Sequence, residues 1–176
     1  ILESALILNL LLGNLLDISR IESGYLSLKK EKTFPADIIH DAISYLGKNK
    51  SNHEIVLEML DGNIEIELDR VLFAHAIFNL LYNACLYTHS GSTIWIKVNR
   101  IGQNLIWSIE DNGKGLPSDP SKVFQKFYRG EATGKIGTGL GLAITKSIVE
   151  LHGGVVNASN RVEGGAKFVI DLPIPD

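Results

Sequence analysis

Two asparagines in one predicted helix are the first residues whose types and spacing could do chemistry. Asn79 and Asn83 stand four positions apart in an apolar stretch, so their amides lie on one helix face, one turn apart. An amide carbonyl is an oxygen ligand that suits Mg²⁺, a cation that keeps several waters and shares phosphate oxygens. Taken alone, the pair is equally well explained as two asparagines that make structural hydrogen bonds.

An acidic residue at the end of a predicted strand is the second candidate. Asp111 is followed closely by Gly113 and Gly115. Glycines let the backbone approach a ligand closely, and a carboxylate at this place can accept a hydrogen bond from an exocyclic amine. Taken alone, the segment is more simply explained as an Asp-Asn-Gly turn.

A glycine-rich turn that opens a predicted helix is the third candidate. Gly137, Gly139 and Gly141 alternate with Thr138 and Leu140. Such a turn exposes backbone N–H groups to an anion and aligns the helix dipole with it. The turn is not a dinucleotide fingerprint, because no strand leads directly into it, nor a Walker P-loop, because no Gly-Lys-Ser/Thr follows.

The loop before this turn carries aromatic and basic residues, Phe124, Lys126, Phe127 and Arg129. They suit a lid whose aromatic side chains pack down while its cations meet phosphates. An amphipathic turn that merely holds a surface loop explains them equally well. Residues 113–140 are long for a loop, and loops of that length are usually functional or disordered.

The elements that must position these residues come in segregated groups of helices and strands. Helical patterns cover residues 1–23, 35–50, 70–87 and 141–152. Extended patterns cover residues 54–60, 64–68, 92–101, 104–110, 155–159 and 166–172, which we interpret as three strand pairs. This grouping predicts an α+β fold, a two-layer α/β sandwich whose mixed sheet carries three helices on one face. The N-terminal helix is too apolar to stand alone and is expected to pack in a bundle.

The composition narrows the classes of function. The chain has 176 residues, 45% of them hydrophobic, enough for one domain and a short appendage. Its net charge of -3 gives no basic footprint for nucleic acid. A single cysteine, Cys85, excludes an internal disulfide framework and fits a reducing compartment. The apolar stretch at residues 5–16 is shorter than the ~20 residues that a membrane span needs.

In this order and at these spacings, the four segments resemble the N box, first glycine box, F box and second glycine box of sensor histidine kinases. Residues 163–168 look like the last glycine segment, and residues 14–24 look like the end of the second dimerisation helix. Residues 160–165 are similar to the potassium-responsive (Kdp-type) sensor kinases. The resemblance covers nearly the whole chain. It implies the Bergerat-type ATP-binding fold shared with gyrase, Hsp90 and the DNA-repair protein MutL.

The resemblance also implies a role for each motif residue. Asp111 would contact the adenine amino group, and Asn83 would hold a Mg²⁺ that bridges the phosphates. Asn79 and Arg129 are the catalytic candidates, Asn79 near the γ-phosphate and Arg129 as a phosphate contact. The other residues implied to contact the nucleotide are Tyr87, Gly113, Gly115, Phe127, Gly137, Thr138, Gly139, Leu140 and Gly141.

The same resemblance implies how the parent protein is organised. Residues 1–24 would be part of its dimerisation and histidine-phosphotransfer bundle, and residues 25–176 would be the catalytic ATP-binding domain. ATP and Mg²⁺ are the implied cofactors. The implied partners are the dimerisation domain of a homodimeric parent, which carries the accepting histidine, and a response regulator. This places the domain in the cytoplasm, with the parent anchored in a bacterial inner membrane.

The histidines of this chain do not supply a phosphoryl acceptor. None of its five histidines stands in a His-Glu/Asp-Leu-Arg-x-Pro setting, so we interpret the chain as a fragment that binds ATP with Mg²⁺ but does not phosphorylate itself. His75 lies one turn before Asn79 and is better explained as a histidine packed at the edge of the core.

Two alternatives remain open from the sequence. Leu86 stands where the family often has a lysine, which favours a nucleotide-binding module that signals without catalysis. A gyrase-, Hsp90- or MutL-type ATPase is the other alternative. Those enzymes usually have a glutamate where Asn79 stands, to activate water, and an asparagine cannot act as a base.

Overall fold

The structure, a computed structural model, describes residues 13, 16, 19, 23–24, 27–50, 52–60, 63–128 and 139–174. Most of the predicted N-terminal helix lies outside the described residues. Within that helix, Gly13, Leu16 and Ser19 have helical backbone, and Gly24 has a φ of 68°. A left-handed glycine is a common helix ending, so the predicted end at Gly24 is consistent with this backbone.

The described residues form seven strands and three α-helices. The strands are β1 (Glu31–Thr33), β2 (Glu54–Met59), β3 (Ile66–Leu68), β4 (Thr93–Ile101), β5 (Asn104–Asp111), β6 (Val155–Asn160) and β7 (Ala166–Pro173). The helices are α1 (Pro35–Leu46), α2 (Arg70–Tyr87) and α3 (Gly141–Leu151), with 3₁₀ turns at Gly47–Lys50 and Pro120–Phe124. Across these ranges, no helix has both the length and the apolar character that a membrane crossing requires.

The main sheet has five strands in the order β2-β4-β5-β7-β6. β2 runs parallel to β4, and all other neighbours are antiparallel. Side chains on one face of the sheet, such as those of Ile94, Leu105 and Trp107, are fully buried. The three helices cover this face, which confirms the predicted two-layer sandwich with a mixed sheet.

Helix α2 is the centre of the helical layer. It packs against both α1 and α3 as well as against β4 and β5. The rings of Phe73 on α2 and Trp107 on β5 lie 5.3 Å apart between centroids, and both side chains are fully buried. Burial of side chains this large contributes about 2–3 kcal/mol each. A helix enclosed on so many sides is apolar nearly all round, and its position is fixed by packing.

The predicted pairing of residues 54–60 with residues 64–68 is wrong. β2 pairs with β4, whereas β3 pairs antiparallel with β1 in a separate two-stranded sheet. β3 is short and alternating, and alternation states which face of a strand is buried but not which strand lies beside it. The parallel register of β2 with β4 depends on the crossover through α2.

The start of α2 is a junction of three segments, and it confirms the predicted cap at Asp69. The Asp69 carboxylate accepts hydrogen bonds from the Leu72 N–H at 3.1 Å and from the Lys29 N–H at 2.9 Å. The Asp69 N–H donates to His152 Nε2 at 3.0 Å, just after the end of α3.

Helix α1 ends earlier than the helical pattern at residues 35–50 predicts. It is α-helical only to Leu46, after which the chain forms a 3₁₀ turn.

His152 is a buried histidine from which we expect a pH dependence of the domain's stability. The side chain is 8% exposed, Nε2 accepts from the Asp69 N–H, and Nδ1 donates to the Ile148 carbonyl at 2.7 Å. Burial lowers the pKa of His152 below 6.5, with the nearby Lys30 charge adding to this and Asp69 and the Ile148 carbonyl opposing it. A histidine with a lowered folded pKa binds its proton more readily in the unfolded chain.

We therefore expect the free energy of unfolding to fall as the pH drops through about 6.5, by at most about 1.4 kcal/mol per pH unit from this histidine. Urea unfolding between pH 5 and pH 8 measures the effect. A His152→Asn variant, which cannot take up a proton at this position, is the control and should show a shallower dependence. Parallel curves for the two proteins would contradict the prediction.

Candidate functional site

Asn79 lies in the middle of α2 and contacts the start of α3. Its side chain is 4% exposed, and Nδ2 donates a hydrogen bond to the Gly141 carbonyl oxygen at 3.2 Å. The Thr145 hydroxyl donates to the same oxygen at 3.0 Å. The amide therefore fixes the glycine turn against α2, although the two residues are 62 positions apart.

Asn83 lies one turn further along α2 and is half-buried. Its amide makes no hydrogen bond within the described ranges, so its oxygen is available to a water, a metal ion or a ligand. Tyr87, another turn on, is 37% exposed. With Asn79 these residues form a row on one side of the helix, eight residues or roughly 12 Å long.

Asp111 ends β5, and its carboxylate is held in a fixed orientation. The side chain is 6% exposed, and Oδ1 accepts hydrogen bonds from the Gly113 N–H at 2.8 Å and the Ala166 N–H at 3.2 Å. Oδ2 has no hydrogen-bond partner in the described part of the chain. The carboxylate can therefore accept a further hydrogen bond without giving up the two that orient it.

The glycines after Asp111 stand where a side chain would not fit. A Cβ at Gly113 would lie 2.8 Å from Thr88 Cγ2 and 3.0 Å from Asp111 Oδ1. Gly115 has a φ of 83°, and a Cβ there would lie 2.5 Å from Asn160 Oδ1. The loop after β5 is thus packed directly against the end of α2 and the end of β6.

The far end of the long loop approaches the same helix. Gly139 has a φ of 70°, and its carbonyl accepts a hydrogen bond from the Phe127 N–H at 2.9 Å. Leu140 is 2% exposed, and Gly141 begins α3 beside Asn79. The structure therefore brings the F-box segment and the second glycine segment together.

Two expectations for the lid loop have different outcomes. The Phe124 ring packs edge-on against Phe168 at a centroid distance of 6.2 Å, as predicted. The prediction that Phe127 packs down is wrong, because its side chain is 67% exposed. Phe127 has a φ of 62° in a tight turn, so its backbone rather than its ring makes the contact with Gly139.

Three predicted site residues, Arg129, Gly137 and Thr138, lie outside the described residues, and the roles given to them stay predictions. His75 is half-buried, and its ring stacks on Phe78 at a centroid distance of 6.1 Å. That contact agrees with the interpretation of His75 as a core-edge histidine.

The described site residues meet along α2. Asn79 in the middle of α2 contacts the glycine turn that opens α3, and Thr88, just past the C-terminal end of α2, contacts Gly113 beside Asp111. Asn83 and Tyr87 lie between these two contacts on the same helix. One helix therefore connects the two glycine segments that the sequence analysis singled out separately.

Sequence reasoning missed the residues that contact the Asp111 segment from the face of the sheet opposite the helices. Glu110, 5% exposed, accepts hydrogen bonds from the Ser108 hydroxyl at 2.8 Å and from Arg161 Nε at 3.1 Å. Burial alone would raise the pKa of the Glu110 carboxyl, but the Ser108 hydrogen bond and the charges of Lys167 and Lys97 outweigh it and lower the pKa. The available signal was a second acidic residue, directly before Asp111, at the end of the strand.

Comparison with known proteins gives the class to which the chain belongs. A family model described as "Histidine kinase-, DNA gyrase B-, and HSP90-like ATPase" matches residues 68–176. The match runs from the end of β3 and includes Asn79, Asn83 and Asp111. The chain belongs to this family, as the resemblance of its motifs predicts.

Within that family, the chain is an ATP-binding catalytic domain of the sensor histidine kinases. The sensor protein KdpD of Escherichia coli strain K12 is 40% identical over 165 residues, which cover 93% of this chain and 18% of that protein. The chain thus spans less than a fifth of the length of this relative. The similarity to Kdp-type sensor kinases predicted from residues 160–165 agrees with this relative.

Solved structures show the same fold. The Acinetobacter baumannii histidine kinase AdeS superimposes with a TM-score of 0.81 at 23% identity, covering 99% of this chain and 82% of that one. The crystal structure of full-length ShkA in complex with AMPPNP gives a TM-score of 0.84 at 21% identity, covering 98% of this chain and 37% of that one.

Proposed function

We propose that this chain binds ATP with Mg²⁺ and transfers the γ-phosphoryl group to a histidine on a dimerisation domain of its parent protein. The observation that carries the proposal is the state of two polar groups. The Asp111 carboxylate is oriented through Oδ1 and keeps Oδ2 for a further donor, and the Asn83 amide on α2 has no described hydrogen bond. Membership of the ATPase family supports a nucleotide as the ligand of this site.

The base would bind at the end of α2 nearest Asp111. Oδ2 would accept a hydrogen bond from the exocyclic amine of adenine, a donor that guanine does not present at that position. Gly113 and Gly115 would flank the base, and their lack of a side chain lets this loop pack against Thr88 and Asn160, because a Cβ at either position would meet these neighbours. Tyr87, partly exposed at this end of α2, would line the same side.

The phosphates would bind nearer the middle of α2. Asn83 would hold the Mg²⁺, which when bound offsets negative charge on the phosphates. The turn formed by Gly137, Gly139 and Gly141, with Thr138 and Leu140, would present N–H groups and the positive end of the α3 dipole to them. Asn79 would keep this turn against α2 through its hydrogen bond to Gly141. Arg129 and Phe127 would belong to the lid.

Positioning is the main task of this domain in phosphoryl transfer. The nucleophile, a histidine imidazole nitrogen, would arrive from the dimerisation domain of the homodimeric parent. A response regulator would then receive the phosphoryl group. Asn79 cannot take a proton from water, which favours transfer to a protein histidine over hydrolysis by a gyrase-type ATPase.

The domain boundary that accompanies this proposal lies at Gly24. Residues 1–24 would belong to the dimerisation bundle, and residues 25–176 would be the catalytic ATP-binding domain. The cytoplasm and a parent anchored in a bacterial inner membrane are part of the same proposal, since sensor proteins such as KdpD are the relatives of this chain.

Calorimetric titration with a non-hydrolysable ATP analogue, with and without Mg²⁺, tests the proposal. We expect Mg²⁺ to tighten binding by about tenfold or more, equivalent to about 1.4 kcal/mol. Asn83→Ala should remove most of that gain while metal-free binding is retained, because its amide oxygen is the proposed ligand.

Asn157→Ala is the matched control, since Asn157 is exposed on β6. It should behave like the wild-type chain. Binding that does not respond to Mg²⁺, or a full Mg²⁺ response in Asn83→Ala, would remove Asn83 from the site. Absence of any binding would favour the non-catalytic signalling module.

A further inference from the structure

The connection between β6 and β7 encloses the backbone around Asp111. Arg161 Nη1 donates a hydrogen bond to the Asp111 carbonyl oxygen at 3.1 Å, and Arg161 Nε donates to Glu110 Oε2 at 3.1 Å. The guanidinium carbon lies 4.4 Å from the centroid of the Trp95 ring. One side chain thus holds two consecutive residues of β5, one through its carboxylate and the other through its carbonyl.

The Arg161 side chain is itself held in place. It is 14% exposed, and its Nη1 also donates to the Gly164 carbonyl at 3.3 Å. The Arg161 N–H donates to the Gly165 carbonyl at 2.9 Å, which closes the turn. Glu110, its partner, has two further cations within ion-pair distance, Lys167 at 3.4 Å and Lys97 at 3.5 Å. Because both the backbone and the guanidinium of Arg161 are held by hydrogen bonds, the side chain restricts movement of the Asp111 peptide group that it contacts.

Alternation along β5 explains why this support bears on Asp111. Neighbouring residues of a strand point to opposite faces of the sheet. Glu110 therefore lies on the open face, where Trp95 and Arg161 are, and Asp111 lies on the helix side, where Gly113 and Thr88 are. Arg161 reaches from the open face to the shared backbone and so acts on Asp111 without touching its carboxylate.

Asn160 ties down the glycine loop in the same way. Its Oδ1 accepts a hydrogen bond from the Leu116 N–H at 2.6 Å, and its Nδ2 donates to the Leu116 carbonyl at 3.3 Å. Both backbone groups of the residue after Gly115 are thereby engaged by one amide. The end of β6 thus holds the loop that follows Asp111 at a second point.

We propose that Arg161 and Asn160 are positioning residues that set the specificity of the site for an adenine base, by fixing the backbone on both sides of Gly113. The proposal rests on the proposed function, in which Asp111 Oδ2 accepts a hydrogen bond from the base. The strength of this hydrogen bond depends on where Asp111 Oδ2 is placed. Phosphate binding at the start of α3 does not involve Asp111 and so does not depend on its position. Loss of Arg161 therefore reduces discrimination between bases and leaves triphosphate binding unchanged.

The experiment compares non-hydrolysable ATP and GTP analogues and inorganic tripolyphosphate, all with Mg²⁺, on the 176-residue chain. Arg161→Gln is expected to weaken ATP-analogue binding about tenfold and to leave GTP-analogue and tripolyphosphate binding within about twofold. The ratio of the two nucleotide affinities then falls about tenfold. Arg161→Lys, which keeps the charge but loses the fork, should fall between this variant and the wild type.

Lys167→Met is the matched control, because it removes another cation beside Glu110, at Oε1 rather than Oε2. Its affinity ratio should equal that of the wild type. Asn160→Ala alters an exposed residue and should lower the ratio about threefold, which keeps the test valid if Arg161→Gln does not fold.

Equal weakening of all three ligands in Arg161→Gln and Asn160→Ala, or an unchanged affinity ratio in both, would overturn the positioning role while the proposed function stands. A wild-type chain that binds none of the three ligands would overturn the proposed function, and the positioning role with it.

Discussion

Asp111→Asn is expected to weaken the binding of an ATP analogue about a hundredfold without unfolding the domain. The asparagine keeps an oxygen that can accept from the Gly113 and Ala166 N–H groups. It replaces Oδ2 by an amide NH₂, which is a donor facing the donor amine of the base. Loss of a hydrogen bond to a charged acceptor costs about 1.5–3 kcal/mol, and 2.7 kcal/mol corresponds to about a hundredfold in affinity.

Calorimetric titration and urea unfolding of the same preparation measure the two halves of this prediction. Asp119→Asn is the control: Asp119 caps the 3₁₀ turn before the lid through a hydrogen bond from the Ser121 N–H at 3.2 Å, and asparagine caps equally well. Its affinity and stability should match the wild type. Affinity within about threefold of the wild type in Asp111→Asn would show that the base is not bound through Oδ2.

Gly165→Ala should destabilise the domain and abolish nucleotide binding. A Cβ at Gly165 would overlap the Asp111 carbonyl oxygen and lie 2.7 Å from the Asp111 carbonyl carbon. Because this contact is with backbone and not with a mobile side chain, β5 and the β6–β7 connection must separate to admit the methyl group. We expect the free energy of unfolding to fall by about 3 kcal/mol or more.

Gly164→Ala separates this collision from the cost of the backbone conformation. Gly164 has a φ of 93° and Gly165 a φ of 98°, but a Cβ at Gly164 would meet nothing within 4 Å. Only the strain of a left-handed alanine remains there, roughly 1 kcal/mol. Gly164→Ala should therefore lose about a third as much stability and still bind nucleotide. Similar losses in the two variants would refute the collision with Asp111.

Local patterns predicted the parts of the fold that depend on neighbouring residues. The apolar spacing in α1, the Asp69 cap of α2 and the Gly102–Gln103 turn between β4 and β5 each follow from a few adjacent side chains. The order of the four motifs likewise predicted the family. The first three features depend on residues close together in the sequence, and the order of the motifs can be read along the chain, so neither requires knowledge of tertiary contacts.

Features that depend on distant contacts could not be predicted. The parallel pairing of β2 with β4 depends on the crossover through α2, and β3 pairs with a strand that precedes α1. The Arg161 guanidinium binds Asp111 and Glu110, which lie 50 and 51 positions earlier in the chain. The exposure of the Phe127 ring follows from a left-handed backbone that its residue type disfavours.

The Asp69 junction has a mechanical consequence for the helix that carries the site. The Lys29 N–H donates a hydrogen bond to the Asp69 carboxylate, which caps the start of α2. The Asp69 N–H donates to His152, just after α3. A pull on the chain before Lys29 would therefore reach the first turn of α2 through this hydrogen bond, and would reach β3 through the pairing of β1 with β3. Asn79 lies ten residues further along the same helix, about 15 Å from Asp69. Asp69 thus connects the incoming chain directly to the helix that holds the glycine turn.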